Sequence, residues 1–177
     1  MKKGVVLREL SRRDLPVLNE WRHDHSLVDL LGAPYRMINP ETDKAWFERY
    51  QSNRSREVRC AIVAGGKLEG LVSLTGIDTV HRSAEYHIMI GSATRRRKGV
   101  GSAATIAILE HGFRDLNLHR IHLSVLDYNV AAIRFYEKTG FVREGRMREA
   151  AWKNGRYHDL ILMGLLQREF AKRHGAT

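Results

Sequence analysis

The sequence predicts an α/β (α+β) fold, with a single, mixed and mostly antiparallel central sheet of about seven strands and helices on both faces. Three observations support this prediction. The chain has 177 residues, of which 43% are apolar, so one domain with its own core is expected over residues 1–177. Strand patterns joined by short turns dominate the first half, which favours antiparallel pairs. Strands alternate with helical patterns in the second half, which favours a β-α-β-α-β order.

The first half of the chain contains two helix starts and a hairpin. Ser11 with Asp14 is typical of an N-cap followed by an acidic first turn, and Pro40 after Asn39 suits the first position of a helix. Two glycines between apolar runs indicate a tight hairpin turn at 65–66. The predicted elements are a strand at 5–10, a helix from Ser11 through Trp21, a helix from Asn39, strands at 58–64 and 68–74, and a strand at 85–90.

The second half changes rhythm, because helical patterns now separate the strands. A helix rich in small residues is predicted at 99–113 and a shorter one at 129–138. The strands are predicted at 119–126, 141–146 and 157–166. The last two close the sheet.

The charge of the chain limits its partners without choosing one. Thirty Lys and Arg against twenty Asp and Glu give a net charge of +10, which attracts nucleic acid, acidic headgroups or a phosphorylated cofactor. The basic residues are spread along the chain, with one dense run at 95–98 that is equally typical of a solvated loop. The sequence shows no zinc-finger spacing, heptad stretch or aromatic-rich basic strand, so we do not expect nucleic acid as a specific partner.

Membrane insertion, secretion and metal binding are not expected either. The longest apolar run, 160–166, is far shorter than the roughly 18 residues of a membrane span, and the N-terminus lacks a secretory pattern. Cys60 is the single cysteine, which favours a reducing cytoplasm. Four histidines (His81, His87, His119 and His122) have no acid or thiol at ligand spacing, so no metal site is predicted.

A basic loop that carries glycines is the most informative segment. A buried strand ends near Ile90, a basic run follows, and Gly99 and Gly101 open a helix. Without a Cβ, each glycine lets a ligand approach the backbone, and the first-turn N–H groups of a helix form an anion site. Arg and Lys beside them add charge that suits phosphate oxygens. The segment fits neither the Walker nor the Rossmann spacing, so this pattern alone indicates either a diphosphate cradle or a plain basic turn.

A second pattern lies on the predicted helix at 129–138. Asn129 and Tyr136 are seven residues apart, nearly two turns and about 10.5 Å along one helix face, and Ala132 lies between them. A small side chain between an amide and a phenol leaves room for a thin ligand chain. A capping Asn and a packed Tyr explain the same residues.

Together these motifs resemble the GNAT superfamily of acyl-CoA-dependent N-acetyltransferases. The resemblance is carried by three motifs: Arg96-x-x-Gly99-x-Gly101, Asn129-x-x-Ala132-x-x-Phe135-Tyr136, and Lys138-Thr139-Gly140-Phe141. Within the superfamily, the chain is most similar to the branch that holds ribosomal-protein N-terminal acetyltransferases and bacterial spermidine N-acetyltransferases. The resemblance implies a cytoplasmic enzyme that uses acetyl-CoA as co-substrate. A homodimer is a weaker expectation.

The resemblance also implies roles for individual residues. The strand before the basic loop, here Ile88, Met89 and Ile90, would splay from its neighbour and pair with the pantetheine arm. The loop and helix start would hold the diphosphate; these residues are Arg96, Arg97, Lys98, Gly99, Val100, Gly101 and Ser102. Asn129, beside Ala132, would bind the pantetheine arm, and Tyr136 would lie near the sulfur as general acid. No acyl-enzyme is expected, and Cys60 is interpreted as core filler.

The residues themselves suggest a base. Glu85, His87 and Met89 share one face of the strand by alternation, which makes Glu85 the candidate base and His87 a weaker one. A surface or ion-paired Glu explains Glu85 equally well.

The acceptor is less well defined by the sequence. Spermidine-acetylating relatives carry acids around their polyamine sites, whereas 27–43 here holds only Asp29, Glu41 and Asp43, and Ser73 stands where those enzymes have Glu. A basic chain with few acids is a poor host for a polycation. We therefore favour a primary amine such as a protein N-terminus, with an amino-sugar nucleotide or a polyamine as alternatives. In two further hypotheses the protein is not a catalyst. It is a basic RNA- or ribosome-binding module in the first, and an acyl-CoA-binding sensor in the second.

Overall fold

The computed structural model describes residues 4–91 and 99–175. Within them, seven strands form one sheet in the order β1-β2-β3-β4-β5-β7-β6. The strands are β1 (Val5–Glu9), β2 (Val58–Ala64), β3 (Lys67–Asp78), β4 (Ser83–Ile90), β5 (Arg120–Leu126), β6 (Val142–Lys153) and β7 (Arg156–Leu166). The helices are α1 (Leu15–His23), α2 (His25–Val28), α3 (Pro40–Ser52), α4 (Val100–Glu110), α5 (Val130–Thr139) and α6 (Gln167–His174). A 3-10 turn (Arg12–Asp14) leads into α1, and a π-helical turn (His111–Asp115) follows α4.

The pairing of the strands confirms a mixed, mostly antiparallel sheet. Among the strand pairs of the described residues, β4–β5 alone is parallel, and the other pairs are antiparallel. Gly65 and Gly66 have φ angles of +57° and +74° in the β2–β3 turn, a conformation that glycine adopts at little cost. The parallel pair lies in the middle of the sheet.

Helices cover both faces of the sheet, as expected. Because strand side chains alternate, neighbouring positions in β2 to β4 belong to two different cores. On one side, which we call the α4–α5 face, the buried residues include Ile62, Val72, Tyr86, Ile108, Ile133 and Phe170. On the other, the α1–α3 face, they include Leu15, Leu18, Phe47, Tyr50 and Ala61, with Trp21, Trp46 and Met89 packed against them.

The structure also contains elements that the sequence patterns did not predict. The helix α2 has only four residues, and α6 buries only Phe170, so neither helix shows apolar residues repeated at helical spacing. The strand β6 extends to Lys153, well beyond the predicted end at 146. Its register shifts between Met147 and Ala151, and its side chains are mostly exposed, so no alternating signal marks it. Among the described residues, no helix is long and apolar enough to cross a bilayer.

Candidate active site

The strands β4 and β5 separate part-way along their length. Their parallel ladder pairs Ser83, Ala84 and Glu85 with residues 120–122, and no later pair joins the two strands within the described residues. Both strands nevertheless continue, β4 to Ile90 and β5 to Leu126. An opening therefore begins at Tyr86, and one side of it is a strand edge that an extended polar chain can pair with. The predicted positions Ile88, Met89 and Ile90 lie along this edge.

The N-terminus of α4 lies against the same part of β4. Gly99 caps the helix in a left-handed conformation, with φ of +81°, and the first helical bond runs from Ala103 N–H to the Gly99 carbonyl at 3.1 Å. The amides of Val100, Gly101 and Ser102 precede that bond, so they are the donors that a helix leaves for an anion. Arg96, Arg97 and Lys98, which were predicted to add charge here, lie outside the described residues.

Gly101 connects the anion cradle to the strand edge. A Cβ built on Gly101 would lie 3.7 Å from Ile90 Cγ1 and 3.8 Å from Ile88 Cδ1. The first turn of α4 therefore rests on the part of β4 that lies beyond its ladder with β5 and stays paired with β3. A ligand that has a diphosphate and a polar arm could contact both elements without a gap between them.

Asn129 lies directly before α5 and caps it. Its Oδ1 accepts the Ala132 N–H at 3.1 Å, and its Nδ2 donates to the Leu30 carbonyl at 3.0 Å. The structure thus shows the capping role that the sequence offered as an alternative. Binding of a pantetheine arm by Asn129 stays a prediction, and Ala132 lies next to the same cap.

Tyr136 is buried on the α4–α5 face, where the opening begins. Its side chain is 9% exposed, and its ring lies 6.0 Å from the ring of Tyr86, edge to face. Phe135 and Phe141 complete the aromatic surroundings, at 5.3 Å and 5.9 Å. Burial raises the pKa of Tyr136 to about 12, so the phenol carries its proton at neutral pH.

Glu85 and His87 flank Tyr86 in sequence but point to the opposite, α1–α3 face. His87 Nε2 lies 3.6 Å from Glu85 Oε2 and 2.9 Å from Thr75 Oγ1, and both side chains are about half exposed. Burial lowers the pKa of His87; the charge of Glu85 opposes this effect, and Arg59 and His122 reinforce it. The imidazole is therefore mainly neutral at pH 7 and can accept a proton.

A cluster of cations and aromatic rings on the same face was not predicted. The guanidinium carbons of Arg22 and Arg59 lie 4.5 Å and 5.0 Å from the ring centre of Trp46. Arg22 is also ion-paired with Asp43, which is 1% exposed, and Arg59 lies 2.7 Å from Glu57. Strand alternation could have placed Arg59 on the face of His87, but no local pattern indicates that Arg22 meets Asp43.

The base candidate Glu85 and the residue that the acid candidate contacts, Tyr86, occupy consecutive positions of β4. Tyr136 contacts Tyr86 from one face, while Glu85 and His87 lie on the other. A reacting carbonyl held at the start of the opening could therefore meet a proton acceptor and a proton donor from different sides. This geometry suits transfer of a group between two substrates without an intermediate on the protein.

The sequence matches the model of the acetyltransferase (GNAT) domain family over residues 5–142. It is 33% identical to the spermidine N(1)-acetyltransferase of Vibrio cholerae serotype O1, in an alignment that covers 98% of this chain and 99% of that protein. Identity to the spermidine N(1)-acetyltransferase of Escherichia coli K12 is 32%, covering 97% of this chain and 90% of that protein.

The fold is also similar to solved structures. The crystal structure of the Vibrio cholerae spermidine N-acetyltransferase in complex with CoA and spermine superposes with a TM-score of 0.88. The two chains are 30% identical, and the superposition covers 96% of this chain and 99% of that one.

Proposed function

Because the chain belongs to the GNAT acetyltransferase family and is an acetyl-CoA-dependent N-acetyltransferase, we propose that its acceptor is a primary monoamine, with a protein N-terminus as the leading candidate. The pairing of carboxylates on the α1–α3 face carries this proposal. Asp43 and Glu57 each pair with an arginine, whereas Glu85 faces His87, which is mainly neutral at pH 7. Of these three carboxylates, Glu85 alone has an uncharged partner, so one carboxylate charge is available to pair with a substrate ammonium. A single available charge suits a monoamine better than a polyamine.

The residues around the opening fit acetyl-CoA. The amides of Val100, Gly101 and Ser102 would hold the diphosphate, together with the basic run 96–98. The edge of β4 at Ile88 to Ile90, with Asn129 and Ala132, would hold the pantetheine arm. When bound, acetyl-CoA supplies the thioester carbonyl that the amine attacks.

In the proposed mechanism, side chains of the protein move protons and form no covalent bond with the acetyl group. Glu85 removes the proton from the substrate ammonium, with His87 beside it as the weaker candidate, because only a neutral amine attacks. Tyr136 is the proton donor beside the departing sulfur, and its main contribution is a hydrogen bond to the negative charge that develops there. Burial, followed by the charge of Glu9, raises the pKa of Cys60 to about 11, so that thiol is a poor nucleophile at neutral pH.

A polyamine acceptor is the second candidate, and the relatives favour it. The two aligned enzymes are named spermidine N(1)-acetyltransferases, and the superposed structure contains spermine. Of the three acids at 27–43, Asp43 is buried and paired with Arg22 and Asn19. Asp29 and Glu41 are therefore the acids of this stretch that remain for a polycation.

Competing acceptors in one assay test the proposal. Thiol release from acetyl-CoA is measured with a neutral peptide that has a free N-terminus, with the same peptide N-acetylated, and with spermidine. We expect the free peptide to have a kcat/KM at least about tenfold above that of spermidine, which corresponds to about 1.4 kcal/mol of transition-state preference. The N-acetylated peptide controls for thioester hydrolysis. A clear preference for spermidine would replace the monoamine with the polyamine.

Three further proposals concern the whole chain. A single N-acetyltransferase domain over 1–177 is supported by the one sheet that runs from Val5 to Leu166. A cytoplasmic location is supported by the single cysteine, Cys60.

A homodimer is supported by the strand β6. This strand forms a sheet edge on which Met147 and Trp152 are about half exposed. Light scattering during gel filtration measures the oligomeric state.

A further inference from the structure

Lys153, the last residue of β6, has a buried side chain. It is 4% exposed, and its ammonium donates to the backbone carbonyls of Val28 at 2.9 Å and Ala33 at 2.7 Å. A lysine is rarely buried to this extent unless it is paired. Burial lowers the pKa of Lys153, and the charge of Asp29 partly opposes that effect. The ammonium therefore contacts a specific stretch of backbone rather than solvent.

Two other side chains contact the same stretch, which we call the 28–33 segment. The hydroxyl of Tyr128 donates to the Asp29 carbonyl at 2.6 Å, and Asn129 Nδ2 donates to the Leu30 carbonyl at 3.0 Å. Three side chains from β6 and the β5–α5 turn thus bind four backbone carbonyls of this segment, at positions 28, 29, 30 and 33. Each contact joins residues about 100 or more positions apart in sequence.

The 28–33 segment connects the two halves of the sheet near the opening. It begins with the last residue of α2 and so follows α1, which is anchored on the β4 side, because the ring of Trp21 lies directly against Gly91 at the end of β4. At its other side the segment is held by Tyr128, Asn129 and Lys153, which belong to the β5 half. It therefore passes across the end of the sheet at which β4 and β5 have separated.

We infer that Lys153 is a positioning residue for the acceptor amine: its ammonium fixes the 28–33 segment as one wall of the acceptor's route to the thioester. The inference rests on the proposed function, since the route exists only if the opening holds acetyl-CoA. Within the described part of the chain, Lys153 forms no hydrogen bond or ion pair with Tyr136 or Glu85. Its removal should therefore weaken acceptor binding more than the chemical step.

The test combines amide hydrogen exchange with steady-state kinetics. Lys153→Met keeps the apolar stem and removes the donors, and Lys153→Arg retains donors at the same place. The control is Lys172→Met, which removes an exposed ammonium on α6. We expect Lys153→Met to raise the exchange rate in peptides that cover 28–33 about tenfold, because the Val28 and Ala33 carbonyls lose their common donor and the segment opens more often. The acceptor KM should rise by about tenfold, with kcat and the acetyl-CoA KM within about twofold of wild type.

The controls separate a positioning role from a general loss of structure. Lys153→Arg should recover part of the acceptor KM, and Lys172→Met should match wild type in both measurements. Should Lys153→Met not fold, Tyr128→Phe removes one contact to the same segment from a residue that is 37% exposed, and about threefold faster exchange in 28–33 is expected. Unchanged exchange in 28–33 would overturn the inference.

The kinetic results distinguish a failure of this inference from a failure of the proposed function. Faster exchange with an unchanged acceptor KM, or an equal rise in the KM of both substrates, would show that Lys153 only stabilises the fold. If the wild-type enzyme acetylates no primary amine, the proposed function fails and the acceptor role fails with it, while hydrogen exchange still reports whether Lys153 holds the 28–33 segment.

Discussion

Replacing Tyr136 by Phe tests the proposed mechanism most directly, because the substitution removes one hydroxyl and leaves the ring. The ring contacts with Tyr86, Phe135 and Phe141 lie at 5.3 to 6.0 Å and do not involve the hydroxyl. No hydrogen bond of that hydroxyl is recorded within the described residues. We therefore expect the free energy of unfolding to change by less than about 0.5 kcal/mol.

The expected loss of rate follows from the pKa of the phenol. Loss of a general acid typically lowers a rate by about 10²–10⁴-fold. At a pKa of about 12, Tyr136 lies about 3.5 units above an ordinary thiol, so complete proton transfer to a thiolate would be uphill by about 5 kcal/mol. The phenol then acts mainly as a hydrogen-bond donor to the developing negative charge. We expect a loss of kcat near the lower limit, about 10²-fold.

The assay pairs thiol-release kinetics with calorimetric binding of acetyl-CoA, whose Kd should stay within about threefold. Tyr86→Phe is the matched control. Its hydroxyl is hydrogen-bonded to Thr105 Oγ1 at 2.7 Å in the core, so its loss should cost about 1 kcal/mol of stability with little effect on kcat. A kcat of Tyr136→Phe within about threefold of wild type would refute the role of Tyr136, as would a loss explained by weaker cofactor binding.

Two further predictions concern the base and the anion cradle. NMR titration of the His87 ring should give a pKa below the ordinary value of about 6.5, and Glu85→Gln should lower it further, because the carboxylate favours the imidazolium. As pH falls, the unfolded state therefore binds this proton at a higher pH than the folded state does, and the free energy of unfolding should decrease as pH falls through 6.5. A His87 pKa above 7 would contradict this account. Gly99→Ala should cost about 1–2 kcal/mol, because alanine disfavours a φ of +81°, and it should weaken acetyl-CoA binding. Gly66→Ala, with φ of +74° in the β2–β3 turn, should lower the melting temperature similarly but leave acetyl-CoA binding unchanged; equal effects on binding would remove the cradle from the site.

Features carried by contiguous residues could be predicted from the sequence. The edge of β4, the glycine at the start of α4 and the cap of α5 each depend on spacing within one element, and each lies where the pattern indicates. Strand alternation also placed Glu85 and His87 on one face correctly, as their 3.6 Å separation shows. Local periodicity contains this information because it arises from backbone geometry alone.

Contacts between distant segments could not be predicted in this way. Lys153 binds the carbonyl of Val28, 125 positions away, and no spacing rule connects a strand end to a loop. The sequence does not indicate the pairing of Arg22 with Asp43 either. This ion pair neutralises one of the three acids at 27–43 that were considered for a polyamine site. For the same reason, Asn129 could be assigned a cap or a ligand, but its bond to the Leu30 carbonyl was not foreseen.

The position at which β4 and β5 separate determines how the proposed chemistry is divided between the faces. The ladder ends at Glu85, so Tyr86 is the first residue of the opening, and strand alternation sends the two side chains to opposite faces. Tyr136 can therefore reach the opening from the α4–α5 face while Glu85 serves the amine from the α1–α3 face. A shift of one residue in the register of β4 would exchange the two faces and place the carboxylate against the buried phenol. The proposed mechanism thus depends on the β3–β4 and β4–β5 registers as much as on the identities of the acid and the base.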